Sequence, residues 1–336
     1  MKNIIGFILV DAPHSALNNA GTDVGARTDN TVAVKKIVKK GERGYETYPY
    51  VSAQALRYWW RDTLKERCSW KISPIERQSK IAFTAANPFK YDDDDIFGYM
   101  RAQGKKEGGT VTRISPLKCS PLISICPSVP VDDYGVMARQ EGDPVPYEHQ
   151  FYSTVLKGIF SLDIDRVGRF TLENRAGHLN ITEHMKDEWE KAGAKEKDGV
   201  VELPEDIRLK RVKDCLRVLP YLFGGAKQTL HLTDVTPKFL VLGIIKGGNH
   251  PFMNIGKNDD GVPKIDFEAL KEALHDYKDE FIGDIYIGKR KGFMDNMEDG
   301  LKNFVNKING DSKFGHKIHN TTINEAVDMF VNQISL

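Results

Sequence analysis

The order of the apolar segments constrains this chain more than any single motif does. Residues 4–10 form a seven-residue apolar run, enough for one buried strand and too short to span a membrane. No Gly or Pro interrupts the chain from Ser52 to about Cys68, and the Ser52 hydroxyl can accept from an orphan amide of a first helical turn, so a helix is predicted there. Short apolar stretches between Val111 and Cys126 read as a strand, and the alternating run 151–170 reads as another. Residues 207–219 carry apolar side chains at helical spacing, stopped by Pro220, and 239–245 form a last apolar run. The skeleton is strand, helix, strand, strand, helix, strand.

That βαββαβ order is the split arrangement of ferredoxin-like and RNA-recognition folds, and it places the chain in the α+β class. With 336 residues and 40% hydrophobic content, one elaborated domain or two can bury a sizeable core. The remaining segments read as insertions. In "TVAVKKIVKKGERGYETY", residues 31–48, a Gly turn between alternating segments predicts a basic hairpin. Residues 70–110 are mixed in character, with an acidic run from Asp92 to Asp95 suited to a helix N-terminus. Six of the fifteen prolines (Pro116, Pro121, Pro127, Pro130, Pro144 and Pro146) crowd one short region, which predicts an extended projection rather than a central strand. Residues 183–206 read as a charged linker or exposed helix. Further helices are expected near 266–280, 295–308 and 322–334, the last opened by a Thr322-x-x-Glu325 capping box. No internal repeat or low-complexity tract is evident.

Lys and Arg total 48 against 47 acidic residues, so a polyanion would have to be held by a local concentration of charge. Residues 1–61 supply one, with nine basic residues against five acidic ones. The four cysteines (Cys68, Cys119, Cys126 and Cys215) form no C-x-x-C pair and have no partner His at zinc spacing. Free thiols in a reducing cytosol are therefore expected, with no structural metal or cofactor. The N-terminus lacks a small-residue cleavage site, and a cytoplasmic protein with no membrane association is the expectation.

Three features carry chemistry. On the helix after Ser52, Gln54, Arg57, Arg61 and Lys65 fall on one side, while Leu56, Trp59, Trp60 and Leu64 can face a core. Alone, such a stripe is a solvated surface with Arg61 paired to Asp62 or Glu66. In "FGGAKQTL", Gly224 and Gly225 permit a turn that side chains would block, and Lys227 with Gln228 offers a cation and an amide beside exposed backbone. Glycine as a helix C-cap would account for the turn but not for the polar pair. The third feature is the polar loop after the first strand, with Asn18 and Asn19. Lys157-Gly158-Ile159-Phe160 matches only the first two places of the RNA-recognition sheet motif, leaving base stacking on the sheet unsupported. Catalytic signals are thin. His275-Asp276 lies beside a helical core pattern; Asp11, His14, Asp23 and Asp29 lie in or near a turn-rich loop; and no nucleophile-elbow, P-loop or zincin motif occurs.

The Asn18-Asn19 loop, the basic hairpin before Ser52-x-Gln54-x-x-Arg57, and Gly225-Ala226-Lys227-Gln228 before a strand occur in an order that resembles the backbone subunit of the CRISPR Cascade effector, the Cas-seven family, and most closely its type I-B DevR branch. The resemblance spans about residues 1–245. It implies a modified RNA-recognition palm (1–69, 111–115 and 151–250), a helical finger insertion (70–110) and a β-hairpin thumb (116–150), with 251–336 left as a C-terminal helical extension. It also implies a non-catalytic scaffold whose copies stack head to tail along a crRNA guide, present it to a target DNA strand, and contact other Cascade subunits. By position, Asn18, Asn19, Lys39, Lys40, Ser52, Gln54, Arg57, Arg61, Lys227 and Gln228 would meet the RNA. The alternative is a type III-like relative that cuts target RNA with a loop aspartate, Asp23 or Asp29.

Overall fold

A computed structural model describes every residue except 23–30, 42–43, 79, 103, 105–108, 140 and 176. Strand β1 (Lys2–Ser15) is buried on both faces. Ile4, Ile8 and Val10 enter one apolar cluster, and Ile5, Phe7 and Leu9 enter another. A strand covered on both sides needs a continuous apolar run, which residues 4–10 supply. Short strands β2 (Asn19–Thr22) and β3 (Thr31–Val34) precede the expected basic hairpin, β4 (Lys36–Gly41) paired with β5 (Gly44–Val51). Helix α1 (Ala53–Cys68) begins where the Ser52 side chain accepts from the Ala55 amide, and it buries Leu56, Trp59, Trp60 and Leu64 as the spacing predicts.

The segment expected to be helical finger material holds more strand than helix among its described residues. Ile75, Ile81, Phe83 and Thr84, good strand formers, build the hairpin β6 (Ile75–Gln78) to β7 (Ile81–Thr84). Helix α2 (Asp92–Phe97) starts on the acidic run, and β8 (Tyr99–Arg101) pairs with β9 (Val111–Arg113). Next come β10 (Leu117–Cys119), β11 (Leu122–Ser124), β12 (Val131–Met137) and the 19-residue β13 (Val145–Asp163). The proline-rich region divides in two. Pro116 and Pro121 bracket β10, so it and β11 still pair with the last part of β13, while β12 and the first part of β13 form the projecting hairpin.

Residues 183–206, read from sequence as a linker or exposed helix, contribute instead to a small lobe. Strand β14 (Arg169–Thr171), helix α3 (Lys186–Lys191), β15 (Lys195–Lys197) and β16 (Val200–Glu202) build it, with β16 between the other two strands. Trp189, Val201 and Leu203 join Phe170 and Ile181 in a separate core, against which the Phe89 ring packs edge-on to Phe170. Helix α4 (Glu205–Arg217), the short α5 (Gln228–His231) and β17 (Phe239–Lys246) follow.

Beyond β17 lie the hairpin β18 (Gly256–Asp259) to β19 (Val262–Ile265), α6 (Phe267–Asp276), β20 (Phe281–Lys289), α7 (Glu298–Asn309), β21 (Ile318–Thr321) and α8 (Ile323–Gln333). The three expected C-terminal helices are present, and Thr322 with Glu325 forms the capping box. The two strands between them were not read from the sequence. The main sheet runs β21-β20-β17-β1-β13-β11-β5-β4, with β13 and β17 both antiparallel to β1, so that Ile4 faces Leu162 on one side and Ile244 on the other. Helices α1, α4 and α8 cover one face. Helices α6 and α7 cover the opposite face, so the sheet surface on which an open RNA-recognition fold would stack bases is occupied. Among the described residues no helix is long and apolar enough to cross a membrane.

Candidate functional site

The three sequence features, far apart in the chain, meet at the start of α1. The Asn18 Oδ1 accepts from the Ser52 amide at 2.8 Å, and the Asn18 carbonyl accepts from the Lys35 amide at 2.9 Å. One residue earlier, the Leu17 carbonyl accepts from the Ala226 amide at 3.0 Å, which draws the Gly224–Gln228 loop alongside. The glycines are required by contact as well as by conformation. At φ 139° and 100°, a Cβ on Gly224 would strike the Trp59 indole and one on Gly225 would strike Leu17. Lys227 itself adopts φ 55°, a left-handed conformation that points to a backbone held by its surroundings. Gln228 turns inward, its amide nitrogen donating to the Gly224 and Thr233 carbonyls, and so shapes the loop. The first turn of α1 contains no acidic residue, which leaves its positive dipole end uncompensated beside this loop. Gln54 is exposed there, and Asn19 is half-buried in β2.

The arginines of α1 part company with the solvated stripe that their spacing suggested. Arg57 donates to the carbonyls of Phe97 and Leu117 and to Ser115 Oγ, joining α1 to α2 and β10. Burial pulls its pKa down, yet these oxygens hold the guanidinium in place. Arg61 pairs with Asp93 of α2, Nε to Oδ2 3.4 Å, rather than with Asp62 or Glu66, and lies over the Phe97 ring at 4.4 Å. An acceptor in a distant part of the chain replaced the local one because α2 packs against α1. Lys65 remains outside, beside Glu66.

Lys39 and Lys40 stand exposed on β4, with the Lys39 ammonium 5.1 Å from the Tyr48 ring centre. The Tyr48 hydroxyl donates to Glu46, which pushes its pKa up to about 12. These lysines project along the hairpin away from the loop contacts described above. Lys157 donates to the Gly256 carbonyl at 3.0 Å.

Sequence reasoning gave Asp92–Asp95 a helix-starting role but missed the ion network they build. Asp95 is buried between Arg113 and Arg211 and also accepts from the Gly168 amide. Asp92 takes the other edge of Arg211, and Asp93 accepts from the Ser73 amide at 2.8 Å. Three of these four adjacent acids are answered by arginines on α1, β9 and α4, while Asp94 accepts from the Asn87 amide; such pairing leaves no spacing signal, and only the burial of so polar a run could have hinted at it. As for the thin catalytic candidates, His275 pairs with Asp311 at 3.5 Å, His14 packs against Phe151, and burial raises the pKa of Asp11. Asp23 and Asp29 lie outside the described residues.

The model of one protein family, described as CRISPR-associated negative auto-regulator DevR/Csa2, matches residues 9–263. No curated protein matches the sequence. Among solved structures, a chain of a "CRISPR RNA-guided surveillance complex, pre-nicking" is similar at 10% identity and TM-score 0.58, over 98% of this chain and 99% of that one. A second, from a "CRISPR RNA-guided surveillance complex", is similar at 11% identity and TM-score 0.53, over 98% of both chains. At such identities these likenesses speak for the fold.

Proposed function

Because the chain belongs to the CRISPR-associated DevR/Csa2 family, we propose that it is a non-catalytic, guide-RNA-binding backbone subunit of a type I-B Cascade effector. Several copies stack along the crRNA and present it for pairing with target DNA. The fold is a modified RNA-recognition palm: strands β17, β1, β13 and β11 lie side by side, with α1 and α4, beside α8, on one face. The β12–β13 hairpin is the thumb, and 70–110 is the finger-type insertion.

One observation carries this reading: Asn18, Ser52 and the Gly225–Gln228 loop, separated in sequence, are locked together by hydrogen bonds around an acid-free helix start. Such an arrangement suits a phosphodiester, which offers one negative charge per nucleotide and no base identity. Ser52, Gln54, Asn18, Asn19 and Lys227 approach the backbone, Arg61 supplies a guanidinium one side further along α1, and Lys39 and Lys40 extend the cationic track. Arg57 and Gln228 act through structure, fixing α1 and the loop. Sequence recognition is left to base pairing, as in other RNA-guided effectors. Each copy holds only a few nucleotides, so modest local charge suffices when copies accumulate on one RNA.

The test is co-expression with a CRISPR repeat-spacer RNA, purification without nuclease, and a denaturing gel beside a Ser52→Ala, Lys227→Ala variant. A discrete RNA held by the wild type and lost from the folded variant is expected. A wild-type protein free of RNA would contradict the proposal.

A further inference from the structure

Arg61 is held differently from Arg57, Arg113 and Arg211, the other arginines packed around α2. Arg57, Arg113 and Arg211 each place hydrogen bonds on carbonyl or carboxylate oxygens. The Arg61 Nε is buried yet makes no hydrogen bond among the described residues, and it meets the Asp93 carboxylate by charge alone at 3.4 Å. The two side chains differ in access. Arg61 is 30% exposed, whereas Asp93 is 3% exposed. An anion arriving from solvent can therefore reach the guanidinium without reaching the acid beneath it.

Resting on the proposed function, we infer that Asp93 is a placeholder for an RNA phosphate: it holds Arg61 in the empty protein, yields it when RNA binds, and takes a proton from solvent in exchange. The surroundings of Asp93 require that exchange. Arg61 reaches it from α1 and the Ser73 amide from the segment before β6, while its neighbour Asp94 on α2 adds a like charge. Asp92 and Asp95 are engaged by Arg211 of α4 and Arg113 of β9, so neither arginine is free to replace Arg61. A buried carboxylate deprived of its cation neutralises rather than stay charged. Burial already raises Asp93 to about 6 with Arg61 in place, and losing Arg61 raises it further. RNA binding then takes up a proton at pH values above about 6, so affinity rises as pH falls and levels off below about 6, where the empty protein is already protonated, with a slope of up to tenfold per pH unit.

The experiment measures binding of a labelled single-stranded RNA by fluorescence anisotropy from pH 8 to 5.5 at fixed ionic strength. The proteins are the wild type, Asp93→Asn and Arg61→Ala. Asp93→Asn should bind several-fold tighter than wild type at pH 8 and lack the wild-type rise on acidification; Arg61→Ala should bind more weakly and also lack the rise. Wild-type calorimetry in two buffers of different ionisation enthalpy at pH 6.5, just above the empty-protein value of about 6, should report net proton uptake, a readout that needs no variant to fold. RNA binding with the same pH profile in wild type and Asp93→Asn, or without proton uptake, would overturn the placeholder while leaving the RNA-binding role intact. Failure of the wild type to bind RNA at every pH would overturn both.

Discussion

Arg113 and Arg211 lie where α2 meets β9 and α4, their guanidiniums spread over the Asp95 carboxylate and neighbouring carbonyls, whereas Lys39 and Lys40 stand on the β4–β5 hairpin in solvent. Both groups are cations in a chain of nearly balanced charge. The arginines are consumed in joining α2 to β9, α4 and the small lobe, a task suited to a planar fork with several fixed donors. Among the described residues the lysines of the hairpin meet no carboxylate, Lys39 lying beside the Tyr48 ring, and both are exposed to solvent. In this molecule basic content alone therefore does not distinguish a cation held by the fold from one open to solvent; what each cation already touches does.

The comparison is broken most severely at Asp95. Replacing it by Ala leaves two buried arginines without their shared carboxylate and should cost about 3–5 kcal/mol, read by urea unfolding. A loss below about 1 kcal/mol would mean that carbonyls alone satisfy Arg113 and Arg211. Arg57→Ala removes the clamp on Phe97 and Leu117 and should cost about 1.5–3 kcal/mol by the same assay, the range for hydrogen bonds to a charged group. Unchanged stability would return Arg57 to the surface stripe. Gly224→Ala drives a methyl toward Trp59 at a positive φ and should cost about 1–3 kcal/mol, with weaker RNA retention because the loop can no longer sit against α1. At the other pole, Lys39→Ala and Lys40→Ala should alter stability by less than about 0.5 kcal/mol. Each should lower the salt dependence of RNA binding by about 0.7 in the log–log slope. An unfolding midpoint shifted by either lysine variant would show that the hairpin, too, is a structural contact.

How much of this was legible follows from the range over which each signal acts. The caps and apolar spacings of α1, α6, α7 and α8 are local, and the structure places those helices where the spacing predicted. Strand β20 was hidden because Gly283, at φ 73°, interrupts its alternation where the pairing with β17 shifts register. The small lobe was hidden because Trp189, Val201 and Leu203 are scattered among charged residues and become a core only when Phe170 and Phe89 meet them. At the candidate site, the glycines and the capping serine announced themselves, since each answers a backbone requirement. The fates of Arg57 and Arg61 did not, because their partners Phe97, Leu117 and Asp93 come from later elements that fold back onto α1.

Ultraviolet crosslinking of the purified protein to a guide RNA, followed by mass spectrometry of the crosslinked peptides, tests the central claim most directly. Crosslinks are expected on peptides carrying residues 15–20, 36–61 and 221–232, the segments that hold the proposed RNA-binding residues. Crosslinks confined to the small lobe or to the C-terminal helices, with none on those three peptides, would contradict it.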